Sequence, residues 1–319
     1  MESRDKNLWL KAMEEEMATI KERNVWTLVD RPENVKVLGC RWVYSIKEVE
    51  NGRPRRYKAR LVAQGFNQEK GLMYQETYSP VVNFTIIRLL FSILVTKMNW
   101  THKQIDIKNA YLYAPLKEPN YMFQPPGFTD KEQPNKVCHL LKALYGLHQS
   151  GRQWNIEITT TLKELGFQQL KWCNCVFHKN GKIVLLLYVD DIVLFGENEI
   201  DVKKCIQMLK NHFEIKSLGR TRKLLGVEFK EEEGSIYLSQ ENYIKEIYER
   251  FSQYNPPILS LPIAKHFIYS KVQCPVTEEE ITDMSKYPYR NLVGCLSFLA
   301  ERTRPDLSLI HISEPTRRS

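Results

Sequence analysis

Two adjacent aspartates, Asp190 and Asp191, lie between two runs of apolar residues, 183–187 and 192–195. Runs rich in branched apolar side chains predict two buried strands, so the aspartates occupy the turn of a hairpin. Paired carboxylates beside buried strands are costly unless a cation meets them, and Mg²⁺ takes carboxylate and phosphate oxygens as ligands. The pair is interpreted as half of a metal-dependent phosphoryl-transfer site, and a polar hairpin turn is the alternative.

A third carboxylate, Asp106, lies between Ile105 and Ile107 in a strand-like stretch that runs into a helix-like one. Two-metal sites hold their ions roughly 3.5–4 Å apart and need carboxylates from separate strands. The chain between Asp106 and Asp190 is long enough for a helix and its connections. We therefore predict that Asp106 completes the site, with a helix N-cap as the alternative role.

The elements that must position these acids follow from periodicity and turn signals. Strand, helix, hairpin, helix and strand in this order predict an α+β domain, with helices on one face of an antiparallel sheet. Residues 114–135 are rich in Pro and Gly and predict an extended loop that contains only a short strand. The predicted helices are 6–23, 84–98, 151–166 and 199–213, with further helices at both ends of 240–306; the predicted strands are 40–49, 57–66, 183–188, 192–196 and a hairpin over 224–239.

Composition narrows the class of protein. A hydrophobic content of 43% and a charged content of 26% are typical of soluble globular proteins. The net charge of +8 and the pI of about 9.0 fit a polyanionic partner. The 7 cysteines form no regular framework and no signal peptide opens the chain, which favours a reduced, intracellular setting. No apolar run reaches the ~20 residues of a spanning helix, so no membrane partner is expected.

Two further clusters of residues, one basic and one of Cys and His, each have more than one possible role. The predicted hairpin around Asn51-Gly52 is basic, which favours phosphate contacts, but it also fits a solvated strand pair or a localisation signal. Its cations are Arg53, Arg55, Arg56, Lys58 and Arg60. Cys173, Cys175 and His178 do not have the spacing of a structural zinc site, and no fourth ligand is evident, so zinc is not predicted.

Nine short blocks of sequence lie along the chain in this order: 41–44, 56–66, 76–82, 104–112, 121–128, 144–149, 188–191 (Tyr-Val-Asp-Asp), 224–228 and 289–294. Together they resemble, collinearly and from about Leu8 to about Asp306, the reverse transcriptase domain of copia-type LTR retrotransposons. A lone Tyr-Val-Asp-Asp motif is moderately specific, whereas the collinear set is highly specific.

The resemblance implies an α+β right-hand polymerase with fingers, palm and thumb, in which the palm has an antiparallel sheet. The implied division is an N-terminal helical lead-in over 1–34, fingers over 35–81 and 113–150, palm over 82–112 and 151–234, and the start of the thumb or connection over 235–306. Residues 307–319 resemble a translated sequencing-library adapter, so the native sequence is expected to continue differently after about Asp306; a native tail is the alternative.

The resemblance also implies a catalytic set. Asp106, Asp190 and Asp191 would bind two Mg²⁺ ions, for which Mn²⁺ could substitute, and the Ile107 carbonyl could add a ligand. Tyr111 resembles the aromatic gate that excludes a ribose 2′-hydroxyl, with core packing as the alternative.

Other implied residues contact substrates. Gln149, Lys58 and Arg60 are expected at the incoming dNTP, and the two cations are favoured for phosphate because they lie in a matching block. The residues expected at the template or primer are Tyr188, Arg56, Leu225 and Gly226, the last two within the primer grip at 224–229.

The implied activity is RNA-directed DNA synthesis on an RNA template and a DNA primer with dNTPs. The rest of a Pol polyprotein, with ribonuclease H, integrase and protease, is the expected context, in a cytoplasmic virus-like particle. The chain departs from the family pattern at four places: Gly151 stands where Pro is usual, His148 where Lys is usual, Ser217 where Asp is usual, and Lys223-Leu224 where an aromatic pair is usual. These departures leave a second function open, that of a catalytically decayed transposon fragment that at most binds nucleic acid. A third reading, an RNA-templated RNA polymerase, is disfavoured by Tyr188 and Tyr111.

Overall fold

A computed structural model describes residues 5–47, 56–254 and 270–309 of the chain. Arg53, Arg55 and the Asn51-Gly52 turn lie outside these ranges, as does most of the adapter-like tail. The chain divides into two compact units, the first of residues 1–82 and 101–219, the second of residues 83–100 and 220–319.

The helices predicted over 6–23, 151–166 and 199–213 begin and end within three residues of those bounds, whereas the α-helix predicted over 84–98 ends at Leu90. The described helices are α1 (Lys6–Glu22), α2 (Phe84–Leu90), α3 (Ser150–Glu164), α4 (Glu199–Lys210), α5 (Glu241–Phe251), α6 (Glu278–Ser285), α7 (Tyr289–Arg302) and α8 (Asp306–Leu309), with 3₁₀ turns at Gly65–Asn67, Ala110–Tyr113, Ser252–Tyr254 and Lys271–Gln273.

The strands are arranged in four sheets. They are β1 (Trp26–Val29), β2 (Val37–Leu38), β3 (Cys40–Lys47), β4 (Arg56–Ala63), β5 (Thr101–Ile107), β6 (Pro115–Met122), β7 (Val137–Lys142), β8 (Gln168–Leu170), β9 (Cys173–Lys179), β10 (Ile183–Tyr188), β11 (Asp191–Gly196), β12 (Ile215–Gly219), β13 (Lys223–Leu224), β14 (Val227–Glu232) and β15 (Ser235–Ser239).

The largest sheet belongs to the first unit and has the order β12-β5-β11-β10-β9-β8, with every described pairing antiparallel. One face of it packs against α3 and α4. The contact consists of alternate apolar residues of the strands, such as Leu185 and Leu194, and of a helical stripe that includes Trp154, Ile158 and Leu209. Period 2 on the strands and period 3.6 on the helices bring these side chains into one core. The predicted α+β class with an antiparallel sheet is confirmed.

The same unit contains a second core, beneath the sheets β1-β7-β6-β2 and β3-β4. Helix α1 packs against β4, and its Trp9 ring lies edge-on to Tyr44 and Tyr57, at centroid distances of 5.0 and 4.6 Å. The strand pair predicted around the basic hairpin is confirmed, since β3 and β4 pair antiparallel from Cys40–Ala63 outward.

The second unit contains α2, the sheet β13-β14-β15 and the helices from α5 onward. A small core joins α5 to α7, with Ile247, Phe251, Cys295 and Leu299 buried. The hairpin predicted over 224–239 is confirmed, because β14 (Val227–Glu232) and β15 (Ser235–Ser239) pair antiparallel across a turn at 233–234.

Two predicted segments differ from the structure in detail. Residues 114–135 are mainly loop, as predicted, but the strand that they contain, β6, covers Pro115–Met122 and is longer than expected; its pairing with β7 is irregular between Pro115 and Asn120, which lets a Pro-containing segment enter a sheet. The segment predicted as a helix over 84–98 is helical to Lys97, but it is α-helical only to Leu90 and a π-helix over Phe91–Lys97, a winding that apolar periodicity does not encode.

Candidate active site

Sheet register brings the acidic residues together. Asp191, at the start of β11, lies directly opposite Asp106 on β5, and Tyr188 closes the hairpin by pairing with Asp191. The Ile107 N–H donates to the Asp190 carbonyl at 2.9 Å, which ties the hairpin tip to the neighbouring strand. Asp106 therefore belongs to a strand; the alternative of a helix N-cap is wrong, because Asn109 is the residue that precedes the 3₁₀ turn.

Asp106 and Asp191 lie on the face of the sheet opposite α3 and α4. Ile105, Ile107 and Ile192 point into the helix-covered core, so their strand neighbours point away from it. Gln104, which shares that face and is 4% exposed, donates through Nε2 to Asp191 Oδ1 at 3.2 Å. This amide orients one of the carboxylates.

The hairpin tip has an unusual backbone. Val189 has a φ of 55°, a conformation that costs a β-branched residue on the order of 1–3 kcal/mol. Its carbonyl accepts a hydrogen bond at 2.7 Å from the indole N–H of Trp154, a residue of α3 that is 1% exposed. The core thus holds the strained turn that presents Asp190.

The charged form of the Asp190 carboxylate is disfavoured, because its pKa is raised above the ordinary value. Burial raises its pKa most, a hydrogen bond with its own backbone lowers it, and the neighbouring Asp106 charge raises it further. Arg60 and Lys58 lower the same pKa through their charges. Of the three cations on β4, Lys58 and Arg60 are therefore within electrostatic reach of the Asp190 carboxylate, whereas Arg56 is exposed.

Tyr111 is half-buried on the 3₁₀ turn that follows β5. Burial raises the pKa of its hydroxyl, the Asp190 charge adds to this, and Arg60 opposes it. Its ring packs on that of Tyr145 with centroids 4.9 Å apart, and the Arg60 guanidinium lies 4.6 Å from the Tyr145 centroid. Roles for Tyr111 and Arg60 were predicted from the sequence, but none for Tyr145, which lies in the resembling block 144–149 and contacts both of them.

Gln149 is 1% exposed and its amide is fully engaged inside the protein. Its Nε2 donates to the Met73 carbonyl at 3.0 Å, and its Oε1 accepts from Gln68 Nε2 at 3.0 Å. Asn120 completes the cluster, because its Oδ1 accepts from Gln68 and its Nδ2 donates to Met73. In this arrangement Gln149 stabilises a junction between loops, and its predicted contact with a nucleotide stays a prediction.

Leu225 and Gly226, the residues predicted at the primer grip, belong to the second unit and form the tight turn between β13 and β14. Both have positive φ, 51° and 79°. Two positive φ values in succession fit a type I′ turn, in which Gly is favoured and Leu is not. A Cβ at Gly226 would lie 3.0 Å from the Phe298 ring, so the turn also needs a small residue there.

Two charged residues have structural roles that the sequence did not indicate: Glu16 within α1, and Arg23 at the C-terminal end of that helix. Glu16 is 6% exposed and its Oε1 has no hydrogen-bond partner. Arg23 donates to the carbonyls of Lys108 and Asn109, both at 3.0 Å, and lies 4.1 Å from the Tyr113 centroid. Arg23 thereby fixes the segment that joins Asp106 to Tyr111, a long-range contact with no local sequence signal.

The acids fit oxygen-binding divalent cations without forming a closed cage. Among residues 5–47, 56–254 and 270–309, no group of three or more His, Cys, Asp and Glu side chains is placed to hold a metal ion. Mg²⁺ commonly uses one or two carboxylates together with substrate phosphates and water, so an open acidic set suits it. In the same ranges no helix combines the length and apolarity needed to cross a membrane.

Comparison with known proteins identifies the family. Residues 23–265 match the family model of reverse transcriptase (RNA-dependent DNA polymerase). The chain therefore belongs to the reverse transcriptase family.

Its relatives include much longer proteins. It is 38% identical over 310 residues to a retrovirus-related Pol polyprotein from transposon TNT 1-94 of Nicotiana tabacum, covering 95% of this chain and 23% of the relative. It is 37% identical over 307 residues to that from transposon RE1 of Arabidopsis thaliana, covering 94% and 20%. The chain thus spans about a fifth of the length of these relatives.

A solved structure of a foamy viral protease–reverse transcriptase in complex with double-stranded DNA also matches. It has a TM-score of 0.42 and 13% identity, and the match covers 92% of this chain and 40% of that one.

Proposed function

We propose that this chain catalyses RNA-templated DNA synthesis, the transfer of a deoxynucleoside monophosphate to a primer 3′-hydroxyl. The observation that carries the proposal is the register that sets Asp106 opposite Asp191, with Asp190 at the adjacent hairpin tip. Family membership supports the class of reaction.

Asp106, Asp190 and Asp191 would hold two Mg²⁺ or Mn²⁺ ions, with the Ile107 carbonyl as a further oxygen donor. The raised pKa of Asp190, caused first by burial and increased by Asp106, indicates a carboxylate that lacks sufficient positive charge nearby. An all-oxygen donor set suits these hard cations. When bound, the ions would lower the pKa of the primer 3′-hydroxyl and stabilise the leaving pyrophosphate.

Side chains around the acids would bind and select the substrate. Lys58 and Arg60 would neutralise the triphosphate, because both already act on the charge of Asp190. Tyr111 would exclude a ribose 2′-hydroxyl and so favour dNTPs. Gln149 would act at the incoming nucleotide and Tyr188 at the template or primer.

Contacts with nucleic acid would extend beyond the acids. Arg56 is exposed on β4 and could contact template phosphate, in keeping with the net charge of +8. The Leu225-Gly226 turn would contact the primer. The named relatives are Pol polyproteins, so the chain would act with an RNA template and a DNA primer as one part of such a polyprotein, alongside ribonuclease H, integrase and protease.

The test is primer extension on a poly-rA template with an oligo-dT primer, in Mg²⁺ or Mn²⁺, comparing the wild type with Asp190→Asn. Asp283→Asn is the matched control, since Asp283 is exposed on α6 and pairs only with Lys286 in the described structure. We expect extension by the wild type and by Asp283→Asn, and none by Asp190→Asn. Folded wild-type protein that does not extend the primer would refute the proposal and favour a decayed fragment.

A further inference from the structure

Tyr145 lies in the resembling block 144–149 without an assigned role, and its ring contacts a cation of β4 and the ring of Tyr111. The Arg60 guanidinium lies 4.6 Å from its centroid. The Tyr111 ring lies 4.9 Å away, at an interplanar angle of 57°. One aromatic ring thus contacts both Arg60, which is proposed to bind the triphosphate, and Tyr111, which is proposed to exclude the ribose 2′-hydroxyl.

The backbone around Tyr145 is held tightly, which makes the ring a fixed support. Its carbonyl accepts from the Ala63 N–H at 2.8 Å, which anchors it to the end of β4. The next residue, Gly146, has a φ of 93°, and a Cβ there would lie 2.1 Å from the Ala63 carbonyl oxygen. On the other side, Ser150 Oγ donates to the Leu144 carbonyl at 2.6 Å.

Both ring contacts favour a fixed arrangement. A guanidinium over an aromatic face is attracted by the ring quadrupole, and an aromatic pair attracts beyond the effect of its buried area. Tyr145 is half-buried, and burial, the largest cause, raises its pKa to about 12. Its hydroxyl stays neutral at working pH, so the ring contributes shape and quadrupole but no charge.

Resting on the proposed function, we infer that Tyr145 is a specificity-determining positioning residue, which holds the Tyr111 ring at the depth that excludes a ribonucleotide 2′-hydroxyl. Removal of the Tyr145 ring would take away a packing partner of the Tyr111 ring, which we expect to let Tyr111 shift from its place. A shift of about 1 Å at a reacting site can change rates about a hundredfold.

The test is the ratio of kcat/KM for a dNTP to kcat/KM for the matching rNTP. We expect Tyr145→Ala to lower this ratio about tenfold to a hundredfold and Tyr145→Phe, which keeps the ring, to leave it near the wild-type value. Tyr121→Ala is the matched control: Tyr121 is half-buried in the same unit and stacks on His139 at 4.9 Å. It should not change the ratio.

A double mutant separates positioning from direct contact with the sugar. In a Tyr111→Ala background, adding Tyr145→Ala should leave the ratio unchanged, because there is no gate left to position. A further loss there, or an unchanged ratio in Tyr145→Ala alone, overturns the inference. If Tyr145→Ala does not fold, Tyr145→Leu preserves bulk without a planar ring and is expected to lower the ratio as well.

The two proposals fail differently. Extension by the wild type with an unchanged ratio in the Tyr145 variants overturns only the role of Tyr145. Absence of RNA-templated extension by folded wild-type protein overturns the proposed function, and the role of Tyr145 with it.

Discussion

Replacing Trp154 by Phe tests whether the core holds the strained hairpin tip. The indole N–H donates to the Val189 carbonyl at 2.7 Å, and Val189 has a φ of 55°. Phe keeps an aromatic ring beside Phe213, whose centroid lies 5.3 Å from that of Trp154. The exchange therefore removes the donor while much of the packing remains.

The expected cost in free energy of unfolding is about 3–5 kcal/mol. Loss of a hydrogen bond that leaves its acceptor poorly paired costs about 1–3 kcal/mol. The smaller ring forfeits about 2 kcal/mol, at roughly 0.8 kcal/mol per buried methylene equivalent. The conformation of Val189 costs about 1–3 kcal/mol, and the Trp154 hydrogen bond that helps to hold it is lost in the variant. The turn should therefore relax and shift Asp190, and kcat should fall about a hundredfold.

The assay is urea denaturation together with single-turnover nucleotide addition, for Trp154→Phe, Val189→Gly and the double variant. Gly adopts positive φ without strain, so in that background the Trp154 exchange should reduce the rate much less. Trp26→Phe is the control, because Trp26 packs against the other core of the same unit. Additive effects on the rate, within about 0.5 kcal/mol, would refute the link between the Trp154 hydrogen bond and the strained turn.

Two further predictions follow from the site. Tyr111→Ala should admit rNTPs, and unchanged sugar discrimination in single-nucleotide kinetics would remove Tyr111 from the gate role. Glu16→Gln should raise stability at neutral pH, because burial raises the pKa of Glu16 above its ordinary value, with Lys58, Arg60 and Arg23 opposing this only in part. The wild type should lose stability relative to the variant as the pH rises from below 4.5 through this raised pKa, and the two should converge below 4.5. Urea midpoints at several pH values measure the difference, and a less stable variant at pH 7 would mean that the cations outweigh burial.

Much of the site could be predicted from the sequence because its signals are local. The apolar runs around Asp190 and Asp191 give a hairpin through period-2 burial, and the strand that carries Asp106 has the same character. Their meeting in adjacent strands rested on the chemistry of two-metal sites and on the family resemblance, and the register confirms that Asp106 and Asp191 are neighbours.

The rest depends on contacts between residues far apart in the sequence. Nothing local distinguishes buried Glu16 from the exposed acids around it in α1, because only the packing against β4 decides it. Gln149 fitted a substrate-facing role, but the amides of Gln68 and Asn120 come from distant segments to enclose it. The Tyr145 ring likewise gains its neighbours only when β4 and the 3₁₀ turn come together.

The central claim is that acids from two different strands form one catalytic site for RNA-templated DNA synthesis, and Asp106→Asn tests it most directly. Single-turnover addition of dTTP to an oligo-dT primer on poly-rA should fall at least about a thousandfold, or about 4 kcal/mol in the barrier, while circular dichroism stays unchanged. Asp283→Asn should retain the wild-type rate. A rate for Asp106→Asn within a few-fold of the wild type would contradict the account, because the carboxylate opposite Asp191 would then have no part in the chemistry.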